Sequence, residues 1–163
     1  MPIAGIEQPE LLEIGADLRL RRFDGRFDFA LPWYQDGETL YLVDGKREPY
    51  DMARLEVMYR YLDARGELYF IELLRDGEFV PIGDVTFWQE DMPIVIGERA
   101  ERGRGIGRRV ISALCERARG LGWRELAVEE IYDWNEASRR CFMAAGFEPY
   151  AKTERGWAYR RAL

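Results

Sequence analysis

The sequence predicts an α/β fold in which helices cover both faces of a mixed β-sheet. Runs whose apolar residues alternate at period two predict strands, and runs whose apolar residues recur every three or four positions predict helices. A segment rich in glycine and arginine also joins an apolar strand to a helix in the second half of the chain. The runs follow one another in the order β-αα-βββ-α-β-α-ββ, which is typical of a layered α/β domain.

The first third of the chain contains one strand and several short helices. Residues 1–16 are an N-terminal extension, with one helical turn expected at 10–14. Alternation at 18–23 predicts the first strand. Prolines and glycines interrupt 27–50, so we expect short helices and loops there. An amphipathic helix is predicted over 51–66, because an aspartate stands at its start and a glycine at its end.

The remaining elements begin with a β-hairpin. Two apolar runs, 68–74 and 79–88, flank an Asp-Gly pair, which is a strong signal for a tight hairpin turn. Beyond the hairpin, the periodicity predicts a strand, a helix, a strand, a helix and a closing hairpin. They span 94–98, 107–121, 125–131, 135–146, 147–152 and 157–161.

Composition favours one domain, residues 1–163, with a full hydrophobic core. The chain is 47% hydrophobic and 13% aromatic, and its formal net charge is −6. A negative surface repels nucleic acid and suits a cationic partner. The chain has no histidine, and Cys115 and Cys141 show no CxxC spacing, so we expect neither a metal site nor a disulfide. No apolar run reaches membrane-spanning length and no signal core is visible, so a cytoplasmic location away from membranes is expected.

The segment between the strand at 94–98 and the following helix is a candidate phosphate-binding loop. Backbone N–H groups at a helix N-terminus attract anions, and glycine lets the backbone approach a ligand closely. The side chains of the flanking arginines add guanidinium forks that match phosphate oxygens. The loop consists of Arg102, Gly103, Arg104, Gly105, Ile106, Gly107 and Arg108.

The sequence of this loop can be compared with three known phosphate-binding motifs. A Walker loop requires Lys-Ser/Thr after its last glycine, where this chain has arginines. A dinucleotide fingerprint requires a glycine at position 108 and an early position in the chain. The pattern Arg/Gln-x-x-Gly-x-Gly/Ala is satisfied by Arg102, Gly105 and Gly107, and it resembles the acetyl-CoA pyrophosphate loop of the GNAT superfamily of N-acetyltransferases.

A second segment supports the same resemblance. Asn135-x-x-Ser138-x-x-Cys141-Phe142-x-x-x-Gly146-Phe147 is similar to the second GNAT signature and follows the first at the expected distance. Ser138 and the stretch 31–38 look more like the branch that acetylates ribosomal-protein N-termini and includes aminoglycoside 6'-acetyltransferases. The resemblance implies direct acetyl transfer from acetyl-CoA to a primary amine of a small cationic molecule or of a protein N-terminus. The oligomeric state stays open, a homodimer included.

The resemblance also implies which residues hold acetyl-CoA. Main-chain N–H groups around Ile96 and Gly97 would align the pantetheine arm and stabilise the oxyanion. The loop from Arg102 to Arg108 would hold the pyrophosphate, although Arg104 and Arg108 equally fit solvated helix charges. Asn135 would contact the pantetheine and Ser138 would lie toward the nucleotide, while Asn135 is also a good helix N-cap.

The proton acceptor and the proton donor are less well specified. Without histidine, the base must be a carboxylate, a tyrosine or water, and we place Glu130 first because it precedes Asn135 at a strand exit. Asp91 and Glu98 are alternatives. Phe142 stands where the family usually has a tyrosine that protonates the leaving thiolate, so Tyr132 or water would replace it. Because Phe142 lacks a hydroxyl, an alternative interpretation is that the protein is a non-catalytic sensor that binds acyl-CoA.

The acceptor wall is assigned to the aromatic and acidic stretch that precedes the second helix. Trp33, Tyr34, Asp36 and Glu38 combine aromatic faces with carboxylates, which suits a cationic ligand. An aminoglycoside or polyamine, a protein N-terminus and a small amino metabolite remain open as acceptors. A solvent-exposed loop with no binding role would have the same composition.

Overall fold

Eight strands form two antiparallel sheets in the computed structural model, which describes residues 1–163. The first sheet has the order β1-β2-β3-β4-β5 and the second the order β6-β8-β7. The strands are β1 Leu11–Glu13, β2 Leu18–Arg22, β3 Glu67–Arg75, β4 Glu78–Phe87, β5 Ile94–Ile96, β6 Glu125–Tyr132, β7 Glu148–Lys152 and β8 Gly156–Ala162. The helices are α1 Gly37–Asp44, α2 Met52–Arg65, α3 Ile106–Gly120 and α4 Glu136–Ala144, with 3-10 helices at Asp28–Tyr34 and Arg99–Glu101.

The α/β fold class and the order of the main elements are confirmed. One element differs: Leu11–Glu13 is a strand where a helical turn was expected at 10–14. It pairs antiparallel with β2, Leu12 facing Leu20. Three residues are too few for a visible period, so pairing with a neighbouring strand decides this conformation. The sheet also differs from the single mixed sheet that was predicted, because the hydrogen bonds divide the strands between two antiparallel sheets, a division that periodicity cannot reveal.

Contacts group the chain into two compact units, which we describe separately. The first unit comprises 1–86 and 94–102, and the second comprises 87–93 and 103–163. The prediction of one domain over 1–163 stays a prediction.

A tight hairpin and an aromatic core organise the first unit. Asp76 and Gly77 both have positive φ, 49° and 82°, so they form the two-residue turn that joins β3 to β4. Against this sheet, rings from the first 3-10 helix and from α2 pack edge to face, as in the contact of Tyr59 with Phe70 at 5.5 Å. The buried cluster consists of Ala30, Trp33, Tyr34, Leu40, Tyr50, Leu55, Tyr59, Leu68, Phe70 and Val95.

Aspartates begin both α-helices of the first unit. Asp51 accepts a hydrogen bond from Arg54 N–H at 2.8 Å and starts α2, as predicted. Asp36 accepts from Glu38 N–H at 3.3 Å and starts α1. At the other end of α1, Gly45 has a φ of 72°, the left-handed conformation typical of a helix C-cap.

The second unit contains α3, α4 and the sheet β6-β8-β7, and its two helices pack against each other. The apolar stripe of α3 is buried and includes Val110, Ile111 and Leu114. In β6, the register with β8 shifts between Val128 and Ile131, so a bulge interrupts strict alternation in this strand.

Candidate functional site

The loop before α3 has the geometry of an anion cradle. Gly103 and Gly105 have φ of 72° and 79°, and a Cβ at either position would meet no atom within 4 Å, so both backbones face open space. Gly105 is the N-cap of α3, and no side chain caps this helix. The first hydrogen bond of α3 runs from Arg109 N–H to the Gly105 carbonyl. The preceding N–H groups therefore have no acceptor within the helix and are directed at its N-terminal end.

Two arginines that precede the glycines bind the protein itself. Arg102 donates from Nε to the Ile96 carbonyl at 2.9 Å and from Nη2 to Thr39 Oγ1 at 2.6 Å. Arg99 forms a two-pronged pair with Asp36, with contacts of 2.8 and 3.2 Å, and also lies 3.0 Å from Glu38. The side chains of Arg99 and Arg102 thus fix the segment that precedes the glycines, whereas those of Arg104 and Arg108 are exposed.

The end of β5 combines a bulge with a very close ring contact. The N–H groups of Gly97 and Glu98 both donate to the Ile82 carbonyl, at 2.8 and 3.1 Å, so the Gly97 amide is already engaged. Because bonded positions alternate in an antiparallel pair, the Ile96 amide points away from β4. A Cβ at Gly97 would lie 2.2 Å from the Trp33 ring, so this position accepts only glycine while that ring stays in place.

Asn135, predicted to contact the pantetheine, and Ser138, predicted to lie toward the nucleotide, are at the start of α4. Asn135 Oδ1 accepts the Ser138 N–H at 3.2 Å, which makes Asn135 the helix N-cap. Within the same unit, Cys141 Sγ would lie 3.0 Å from a Cβ on Gly107, so α4 packs directly on the first turn of α3. Burial raises the pKa of the Cys141 thiol, which fits a packing role and not a nucleophile. Phe142 is buried edge to face on Phe147, with ring centres 5.2 Å apart.

The expectation of accessible aromatic faces in the predicted acceptor segment is wrong for Trp33 and Tyr34. Both lie in a 3-10 helix and are 4% and 2% exposed, since their rings complete the aromatic core. Trp33 Nε1 also donates to Glu98 Oε1 at 3.3 Å, which commits Glu98 to a structural contact. Asp36 and Glu38 are at the surface side of the segment but are paired with Arg99.

Asp84 on β4 is a polar residue that the sequence analysis missed. Its side chain is buried and Oδ2 accepts hydrogen bonds from two hydroxyls, Tyr34 at 2.7 Å and Tyr59 at 2.9 Å. No cation pairs with it, and burial raises the pKa of the carboxyl to about 6, although the two hydroxyls oppose that shift. A carboxylate with such a pKa is a stronger base than an ordinary one.

The bases named from sequence have other contacts. Glu130 Oε2 accepts the Arg155 N–H at 3.0 Å, so it supports the β7–β8 turn. Asp91 accepts the Glu129 N–H at 3.1 Å, and burial raises the pKa of its carboxyl to about 6. Sequence offers one weak signal for Asp84, a lone acid within the otherwise apolar end of β4.

Two other features concern metals and membranes. No group of three or more histidine, cysteine, aspartate or glutamate side chains is arranged to hold a metal ion. The longest helix, α3, has 15 residues, and no helix combines the length and apolar character of a membrane span.

Comparison with known proteins agrees with this geometry. Residues 28–147 match the sequence model of a family described as acetyltransferase (GNAT). No curated protein matches the chain in sequence. A domain from Methanocaldococcus jannaschii has a similar structure, with a TM-score of 0.79 and 19% identity over 90% of this chain and 98% of that chain.

Two structures with named activities are also similar. Aminoglycoside acetyltransferase AAC(6')-Ib, in complex with coenzyme A, has a TM-score of 0.72 and 16% identity over 89% of this chain and 94% of that chain. The microcin C7 self-immunity acetyltransferase MccE, in complex with acetyl-CoA and AMP, has a TM-score of 0.77 and 13% identity over 95% and 97%. At these identities the likeness establishes the fold.

Proposed function

This chain belongs to the acetyltransferase (GNAT) family, and from that premise we propose that it transfers acetyl from acetyl-CoA to a primary amine. The acceptor is a small cationic molecule or a protein N-terminus. The family match supports the reaction class, and the complexes of AAC(6')-Ib with coenzyme A and of MccE with acetyl-CoA support the acyl donor. The net charge of −6 supports a cationic acceptor.

The observation that carries this proposal is the uncapped N-terminus of α3. Gly103 and Gly105 leave the loop open on the ligand side, and no side chain occupies the cap position. A pyrophosphate would accept hydrogen bonds from the N–H groups of Gly105, Ile106, Gly107 and Arg108 and would gain from the helix dipole. These features fit the pyrophosphate of coenzyme A.

Acetyl-CoA, when bound, supplies an acetyl group activated as a thioester. The Ile96 amide, which points away from β4, is our candidate for holding the pantetheine arm, whereas the Gly97 N–H is bonded to Ile82. The Asn135 side chain caps α4, and we assign it and Ser138 to the pantetheine and nucleotide side of the ligand.

We assign Asp84 as the first candidate for the base that accepts a proton from the acceptor amine. Its raised pKa narrows the gap to the pKa of an ammonium group, and the hydroxyls of Tyr34 and Tyr59, which both donate to it, are the groups through which a proton would have to reach it. Glu130 is the second candidate, on its position at the end of β6.

Release of the thiol needs a proton from elsewhere. Phe142 has no hydroxyl and is packed on Phe147, so this position supplies no acid. Tyr132 or water is the remaining donor. The same residue favours the second candidate function, an acyl-CoA sensor that binds without turnover.

Thiol release distinguishes the two functions. The purified protein is incubated with acetyl-CoA and a panel containing a polyamine, an aminoglycoside and a peptide with a free N-terminus. Release that depends on an amine supports the enzyme. Tight binding of acetyl-CoA without release across the panel supports the sensor.

A matched pair of glycine variants tests the cradle. Gly105→Leu and Gly122→Leu both place a side chain at positive φ, 79° and 81°, where a Cβ meets open space. Their strain is therefore comparable, but only Gly105 lies in the loop. We expect coenzyme A affinity, measured by calorimetry, to fall more than about tenfold in Gly105→Leu only. Equal affinities for both variants would contradict the assignment.

A further inference from the structure

The segment that leads into the cofactor loop is held at three points by other elements. The cofactor loop is defined here as residues 103–107. Before it, the 3-10 helix Arg99–Glu101 is fixed by Arg99 to Asp36 and by buried Glu101 to Arg75, whose Nη2 lies 2.6 Å from Oε1. Arg102 then bonds both β5 and α1. The entry to the loop therefore has a defined position.

Thr39 on α1 connects these contacts into one network. Its Oγ1 accepts from Arg102 at 2.6 Å and donates to Asp36 Oδ2 at 2.9 Å, and Asp36 in turn accepts from Arg99. Thr39 is 2% exposed, so its hydroxyl cannot exchange these partners for bulk water. One hydroxyl thus connects the two arginines that bracket the entry to the loop.

The two parts of the network differ in how well they resist salt. The Arg99 side chain is 59% exposed, so its ion pairs are weak and screened. The Arg102 side chain is half-buried, and burial lowers the pKa of its guanidinium from its usual value. A desolvated guanidinium that loses an acceptor leaves an N–H without a partner, which is costly. The Arg102–Thr39 bond is therefore the strong link.

We propose that Thr39 is a positioning residue for coenzyme A, acting through Arg102 on the cofactor loop. Arg102 is bonded directly to Gly103, so any rotation of its backbone turns the amides that follow. Thr39 lies 63 residues earlier in the chain, on a helix that carries no part of the phosphate motif. The inference rests on the proposed function, because it concerns the same ligand.

Three threonine variants test this assignment. Thr39→Val removes the hydroxyl and keeps the volume, and Thr39→Ser restores the hydroxyl. Thr86→Val is the matched control, since Thr86 is also fully buried but its hydroxyl has no hydrogen-bond partner. Coenzyme A affinity is measured by calorimetry, and KM for acetyl-CoA and kcat by thiol release.

We expect Thr39→Val to raise the Kd for coenzyme A and the KM for acetyl-CoA about tenfold, with kcat within about twofold. Thr39→Ser and Thr86→Val should bind like the parent protein. Parent-like binding by Thr39→Val, or equal weakening in Thr39→Ser, would overturn the inference.

Two further results keep the test decisive. If thermal unfolding shows that Thr39→Val does not fold, Thr39→Ala replaces it, because alanine also removes the hydroxyl that accepts from Arg102 and leaves Arg102 itself unchanged. Parent-like binding by Thr39→Ala overturns the inference, and about tenfold weaker binding supports it. If the parent protein ignores coenzyme A, the proposed function itself fails.

Discussion

Asp84 and Asp36 show how one residue type acquires opposite properties in two places. Asp84 is enclosed on β4 and hydrogen-bonded by two tyrosine hydroxyls, with no cation beside it, so burial raises the pKa of its carboxyl to about 6. Asp36, before α1, has hydrogen bonds from Arg99 and Thr39 that lower the pKa of its carboxyl to about 2. The first carboxylate is costly to hold ionised, and the second stabilises its surroundings. A costly buried charge indicates a functional role more strongly than a paired one.

The sharpest test of this contrast is the activity of Asp84→Asn. We expect kcat/KM to fall about 10²- to 10⁴-fold, because the amide cannot accept a proton. In the parent protein, kcat/KM should rise with pH through about 6, since the base must be ionised. Asp91→Asn is the matched control, because the pKa of Asp91 is also raised to about 6. Loss of activity in Asp91→Asn and not in Asp84→Asn would reverse the assignment.

The same variant should increase stability at neutral pH. Folding raises the pKa of Asp84 above the unfolded value of 3.8, so the buried ionised carboxylate lowers the free energy of unfolding. This loss of stability is absent below about pH 4, grows as pH rises and is complete above about pH 6. It amounts to roughly 3 kcal/mol as an upper value. We therefore expect Asp84→Asn to raise the midpoint of thermal unfolding at pH 8 and to leave it nearly unchanged at pH 4. A lower midpoint at pH 8 would break the contrast with Asp36.

Removing Asp36 should act in the opposite direction. Asp36→Ala loses the helix cap and the Arg99 pair, and we expect a loss of about 1–2 kcal/mol in urea unfolding. Because folding lowers the pKa of Asp36, the stability that comes from the ionised carboxylate is fully present above pH 3.8 and is lost only as pH falls through about 2. Asp36→Asn keeps a cap and should cost less. Equal losses in both variants would show that the ion pair, and not the cap, carries the effect.

Glu130 should give the smallest effect if Asp84 is the base. Gln keeps an oxygen that can accept the Arg155 N–H, so the β7–β8 turn is retained in Glu130→Gln. We expect kcat/KM to stay within about threefold of the parent value across pH 5 to 9. A large fall with an altered pH profile would instead favour Glu130 as the base.

The fold was readable from sequence where the determining interactions are local. The hairpin turn at Asp76-Gly77 and the start of α2 at Asp51 depend on residues adjacent in the chain, and both are confirmed. The strand at Leu11–Glu13 was not readable, because it exists through pairing with β2. Similarly, periodicity gave the strands but not their division between two sheets.

The candidate site divides in the same way. The loop at 103–107 is a backbone site, and glycines in sequence report backbone conformation directly. The environment of Asp84 depends on Tyr34 and Tyr59, which are 50 and 25 residues away in the chain. No local sequence motif could therefore predict that Asp84 is buried between two hydroxyls. The burial of Trp33 was misjudged because composition does not reveal which way a ring points.

The contact between Gly97 and the Trp33 ring has a consequence for how this protein can change. The indole occupies the space that any side chain at 97 would need. We therefore expect substitutions at positions 97 and 33 to be correlated: a larger residue at 97 is tolerated only together with a smaller residue at 33. A directed-evolution library should therefore randomise positions 97 and 33 together, since a library that varies one position at a time does not contain this double substitution.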